Sequence, residues 1–212
     1  MKKFELTAEF VTNVFGKKLF RIKALVAFGD VEKGELGGFI EKEDNLSHDD
    51  NAWVYGNAWV SGNAQVFGDA RVCGNARVFD NARVFGDAQV FGDARVFGDA
   101  QVFGDARVYG NARVSGNAWV SGNAQVFGDA DYAVVAGFGR YFRTTTFFRC
   151  KDKILRVQCG CFYGDLAQFR EIVKKTHGDS KYAKEYLAIA DLMELHFSDK
   201  CGGEQMNDGK IY

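Results

Sequence analysis

Residues 81–104 read NARVFGDAQVFGDARVFGDAQVFG, four copies of one six-residue unit, and the same unit runs without insertion from Asn51 to Ala130. Valine recurs at every sixth position from Val54 to Val126, and alanine holds the matching place from Ala52 onward. A fixed short period has to be read before any single element, because it sets the fold. Within the unit the order is Ala, X, Val, X, Gly, Asp/Asn. Strand side chains alternate between faces, so Ala and Val point one way and both X positions the other. Gly followed by Asp or Asn supplies a bend. Six residues therefore make a short strand and a corner. A helix fails, since a six-residue step turns the side chain by about 240° and scatters Val over three directions. A meander fails too, because its turns come roughly every 8–12 residues.

A chain that coils with three hexads per turn satisfies the pattern. Val54 then stacks under Val72, Val90, Val108 and Val126, with Val60 and Val66 opening the second and third columns. Each coil pairs with the next through parallel-strand hydrogen bonds about 4.8 Å long in repeat, for a prism of about 20 Å. The spacing Val54…Ala58, large aliphatic then small four places on, resembles the hexapeptide repeat of left-handed parallel β-helices. The left hand is implied by that resemblance, against the usual right-handed crossover. The fold class expected is an all-β solenoid, a left-handed parallel β-helix with three hexads per coil, carrying a small α+β C-terminal cap.

The chain has 212 residues, 25 Gly and no Pro, which suits a solenoid full of corners and ladders. Its 27 basic and 28 acidic residues leave a net charge of −1, which argues against direct nucleic-acid binding. Five Cys without a disulfide-like framework fit a reducing compartment. The opening stretch MKKFELTAEF lacks an apolar run of signal-peptide length, and no stretch approaches a membrane span. A cytoplasmic protein with no membrane partner is the expectation.

The expected organisation is an N-terminal β cap over 1–38, the β-helix over 39–136, a C-terminal α+β module over 137–198 and a flexible tail over 199–212. Phe4–Val14 and Leu19–Phe28 read as a hairpin. Ile40 and Leu46, six apart, suggest a degenerate first coil, and the eight residues from Leu46 to Val54 break register by two. Tyr141–Phe148 and Ile154–Cys161 read as strands around a Lys151-Asp152-Lys153 turn. Leu166, Phe169, Ile172 and Val173 mark one face of a helix from Asp165 to His177, stopped by Gly178. Tyr182, Tyr186, Ile189, Ala190, Met193 and Phe197 mark a second, capped by Asp179 or Ser180.

Outward positions carry whatever the prism does. The places flanking each Val hold twelve aromatics, from Trp53, Tyr55 and Trp59 to Phe127, together with six Arg. Arg77, Arg95 and Arg113 form a column beside Phe79 and Phe97, and these five are the candidate binding residues. On one reading the columns stabilise themselves, with corner Asp neutralising Arg; on the other, at least one face is an interface. Asp80, where Gly is expected, and Cys73, where a ring is expected, depart from the pattern.

The regular repeats contain no His and no inserted loop, so no catalytic residue is assigned and the chain is read as a non-enzyme. His48, in Ser47-His48-Asp49-Asp50, reads as a loop histidine. Cys150, Cys159 and Cys161, with His177 or Cys201, lack paired Cys-x-x-Cys knuckles, and alternating Cys159 and Cys161 read as strand packing; no metal or cofactor is assigned. The segments Phe20–Leu25, Gly34–Glu41, Thr144–Arg149, Cys159–Gly164 and His177–Lys181 resemble uncharacterised phage and prophage proteins that carry G-[DN]-A-x-V repeats. That resemblance implies a phage-type binding protein, with inhibition of a bacterial defence system as the specific role, and a host protein or small nucleotide as partner. A homo-oligomer, dimer or trimer, is expected. The alternatives are an acyl- or nucleotidyltransferase-like enzyme with an inter-subunit site, and an oligomeric structural scaffold.

Overall fold

A computed structural model describes residues 2–128 and 131–198. Among them, thirteen two-residue strands fall one to each hexad, from β4 at Trp53–Val54 to β16 at Gln125–Val126. Each pairs in parallel with the strand eighteen residues away, as Gln89 with Arg71 and Arg107, or Arg95 with Arg77 and Arg113. Three parallel sheets result, one for each column of the expected coil. Every hexad Val from Val54 to Val126 and every Ala from Ala52 to Ala124 is fully buried, so the wall is built as the alternation requires.

The corners explain the Gly and Asp/Asn places. Corner glycines take positive φ, and a Cβ at Gly86 (φ 68°) would stand 3.0 Å from the backbone N of Gly104 on the next coil. Both conditions select glycine. Asp80 takes φ 62° in the same place and keeps the corner ladder, its carbonyl accepting from Asn63 N–H at 2.7 Å. Its carboxylate accepts from Gly98 N–H at 3.2 Å, which gives this exception a structural reason. Asn and Asp of successive coils are linked to one another: Asn51 donates to Asp69 at 2.7 Å, Asn75 to Asp93 at 3.1 Å and Asn81 to Asp99 at 3.0 Å. The expected neutralisation of repeat Arg by corner Asp does not occur at Arg71, Arg77, Arg83, Arg95 or Arg107 among the described residues; Arg71 pairs instead with Asp30, outside the repeats. The carboxylates of Asp69, Asp93 and Asp99 are turned along the prism axis by these amide neighbours.

At the N-terminal end, β1 (Phe4–Thr12) and β2 (Lys18–Ala24) form the expected hairpin, shorter at both distal ends than the apolar runs, and β3 (Leu36–Ile40) joins β2 to the second sheet. Ile40 pairs with Val60 and Leu46 bridges to Val66, both at a step of twenty. The degenerate first coil therefore exists, and its two extra residues are the register break visible in the sequence.

At the other end, β17 (Tyr132–Phe138), β18 (Arg143–Arg149), β19 (Leu155–Cys159) and β20 (Phe162–Asp165) form an antiparallel sheet in chain order. Strand β18 is a shared wall. Phe148 packs into the prism core, whereas Phe147 on its opposite face packs with α1 (Leu166–His177) and α2 (Lys181–Ser198). Asp165 caps α1 through a capping box with Gln168, and Gly178 ends it. Ser180, one of the two expected caps, accepts from Ala183 N–H. Two apolar assignments are corrected: Ile172 and Tyr182 are solvent-exposed, while Leu166, Phe169, Val173 and Ala183 are buried. The strand expected over 154–161 is a tight hairpin, in which Cys159 pairs with Phe162 across Gly160 (φ 58°) and Cys161. Cys159 and Cys161 thus do not share a strand face.

Val84→Ala removes two methylene equivalents from a column with no room to collapse, and should cost about 2 kcal/mol. Gly86→Ala should cost more than about 1 kcal/mol through positive φ and the coil above. Urea unfolding monitored by circular dichroism checks both.

Candidate functional site

The five candidate residues lie on the second face, and the structure divides them. Arg77 and Arg95, paired in register, line a groove of about 250 Å³ with Trp59, Asn57, Asn75 and Asp93. Arg77 stands over the Trp59 ring, 4.6 Å from its centre. Arg113 continues the column one coil further on. Phe79 and Phe97 stack at 4.9 Å, outside the lining of this groove.

The outward aromatics form ladders on all three faces. Phe67, Phe85 and Phe103 stack at 4.8 and 5.0 Å, and Phe91 stacks on Tyr109 at 5.0 Å. Parallel rings at this spacing are those of consecutive coils, and stacking leaves most of them half-buried. Two exposed rings lie at the end, Trp119 (37 %) and Phe127 (60 %). Trp53 is a correction: expected outward, it is fully buried, with Phe4 and Phe28 edge-on at 6.2 and 5.3 Å. Ser121 is likewise buried, its hydroxyl donating to Gln158 at 3.1 Å, because the C-terminal sheet covers its position. Cys73 interrupts the first-face ladder half-buried, and burial raises its pKa despite Arg71.

Sequence reasoning missed the polar groups that hold the N-terminal end. Lys3 is buried, and its ammonium donates to the carbonyls of Asp49, Asp50 and Ala52 at 3.2, 3.2 and 2.9 Å. It also stands 4.7 Å from the centre of the Phe28 ring. Burial pushes its pKa down to about 8, against the opposing pull of Asp50, Asp49 and Asp69. Asn45, fully buried, donates to Gly62 O at 3.1 Å and Ala64 O at 2.8 Å and accepts from Lys42 N–H. It supplies the donors that the open third sheet lacks. Asp30 accepts from both Tyr55 and Arg71 at 2.9 Å. Only the two-residue register slip hinted that this corner needed special fastening.

His48 belongs to the same fastening. Its ring stacks on Phe4 at 4.2 Å, and its Nδ1 accepts from Lys3 N–H at 3.2 Å. Nε2 lies 3.6 Å from a Glu43 carboxylate oxygen. With the Nδ1 lone pair engaged, the proton-bearing nitrogen is the one that faces Glu43. A wider groove of about 650 Å³ beside it is lined by Lys42, Glu43, Ser47, His48, Phe67 and Arg83 among others.

No group of three His, Cys, Asp or Glu side chains is placed to hold a metal ion among the described residues. Cys150 is buried against the prism end, where burial raises its thiol to about 11; Cys159 Sγ lies 3.2 Å from Thr145 Oγ1, and Cys161 is exposed. Cys201 and the tail from 199 lie outside the described residues. No described helix is long and apolar enough to cross a membrane.

With three strands per coil, buried Val/Ala columns and terminal caps, the chain is a β-solenoid. Residues 70–86, 88–104, 100–114 and 106–122 match the family described as the YdcK beta-solenoid repeat, so this stretch of the prism is similar to that repeat. No curated protein matches the chain.

Lys3 gives a pH signature. Folding lowers its pKa from 10.5 to about 8, so between these values the unfolded chain binds more protons and stability contributed by this group rises with pH. The urea midpoint of wild type should gain on that of Lys3→Met between pH 7.5 and 9.5. Equal pH slopes for the two chains would contradict the assignment.

Proposed function

We propose that the protein is a non-catalytic scaffold: a rigid, left-handed β-solenoid whose second face captures an acidic protein partner. The observation that carries this reading is the register of Arg77 and Arg95. Like charges directly opposite on paired strands repel, and neither side chain forms an ion pair among the described residues. Carboxylates of a partner offset that repulsion, and guanidinium groups suit them through bidentate hydrogen bonds. The prism supports the role mechanically. Its faces are fixed by ladders along the whole length, so a surface presented there needs little ordering on binding.

The left hand and the phage setting rest on the sequence resemblance, as does the more specific role of inhibiting a bacterial host's defence protein. Self-association into a dimer or trimer fits the scaffold reading, with the Phe79–Phe97 pair available beside the charged groove. The engagement of His48 Nδ1 by Lys3 supports the non-catalytic part, since that nitrogen offers no free lone pair to a substrate proton.

Arg77→Glu/Arg95→Glu should abolish partner capture from a bacterial host lysate while the circular dichroism spectrum is retained. Arg107→Glu, on another face, should leave capture intact. Capture unchanged by the double reversal places the binding surface elsewhere. Sedimentation velocity on the purified chain tests the oligomer, and a monomer at all concentrations removes the oligomeric scaffold.

A further inference from the structure

Tryptophan occurs three times in the repeats, and its surroundings differ at each. Trp53 lies under the N-terminal hairpin and Trp59 lies beneath the Arg77 guanidinium. Trp119 has no such cover. The parallel stack of Phe67, Phe85 and Phe103 ends because the next place is Ser121, and Trp119, which follows Gln101 in the neighbouring column, meets Phe103 edge-on at 78° and is 37 % exposed. Its backbone N–H is tied to Thr146 Oγ1 at 3.0 Å, so the residue is anchored while its ring is turned outward.

Beside the ring, the third face and the C-terminal sheet enclose a groove of about 580 Å³, within the ordinary size of small-molecule sites. The prism contributes Asp99, Gln101 and Asn117, and the C-terminal module contributes Arg143 and Thr144. Asp99 is held by Asn81, which leaves its other oxygen to accept. Arg143 is steadied over the Tyr141 ring at 5.1 Å. We propose that this groove binds a neutral sugar, one ring resting on Trp119 and its hydroxyls held by Asp99, Gln101, Asn117 and Arg143.

The chemistry selects this ligand over others. Sugar hydroxyls both donate and accept, and the lining offers planar groups of both kinds: two amides, one carboxylate acceptor and one guanidinium donor. One Arg against one Asp creates no field for a phosphate or carboxylate, and an anion here would lie against Asp99. The apolar C–H face of a pyranose matches a broad, amphipathic indole. A nucleobase would stack equally well, but its phosphate would find a single cation beside a carboxylate.

Titration calorimetry of the full chain against hexasaccharides of β-1,4-linked glucose, mannose and N-acetylglucosamine, an oligogalacturonate, and AMP tests the assignment. A neutral hexasaccharide should bind, Trp119→Ala should weaken it at least tenfold, and Arg143→Ala and Gln101→Ala several-fold each, whereas Phe127→Ala should change nothing. These two further variants decide the matter where Trp119→Ala does not fold by circular dichroism. The proposal is overturned if no neutral saccharide binds, if the variants bind as wild type does, or if AMP or the oligogalacturonate is preferred.

Discussion

The eighteen-residue hydrogen-bond register between coils is the constraint on which everything else rests. Each two-residue strand is too short to persist alone, and gains its partners only from the coils above and below. Once residue i pairs with i+18, Val must stack on Val, the corner glycine on glycine and ring on ring. The buried columns exclude water from a core narrow enough to be filled by Val and Ala alone. The same register forces Arg77 beside Arg95, so an identity repeat that is favourable for rings is unfavourable for charges.

A solenoid also creates two problems at its ends, where a sheet stops with unpaired groups. This chain solves them differently. The N-terminal end is closed by polar fastening: Lys3 satisfies three carbonyls, Asn45 serves as a donor pair, and the hairpin extends one sheet sideways over Trp53. The C-terminal end is closed by an antiparallel sheet laid across it, with Phe148 facing the prism and Phe147 the helices. That strand joins two cores through the period-2 alternation of its own side chains. Where this sheet overhangs the third face, a groove forms that neither module makes alone, and the exposed indole of Trp119 lies within it.

Legibility from sequence followed the periodicity. The Val and Ala columns, the corners, the coil length and the slip before Val54 could all be read because each position repeats its environment many times. Helix α1 was legible through its caps and stop, since those signals are local. The Arg column stacks in the register that the period gives it, but the division of the candidate residues into a groove and a separate ring pair was not visible. Trp53 and Ser121 were misplaced for one reason: alternation says which side of the wall a residue takes, and says nothing of what covers the wall from outside.

By itself, then, the hexad determined a three-walled solenoid, its inward residues and its outward ladders, because a strict short period leaves one strand-and-corner path that buries every Val. Tertiary structure alone decided how the ends are sealed, which Trp is hidden and which exposed, and where a corner Asp points. Those outcomes depend on residues far apart in the chain, such as Lys3 with Asp50, 47 positions on, or Trp119 with Thr146, 27 positions on, and no local pattern encodes such a meeting.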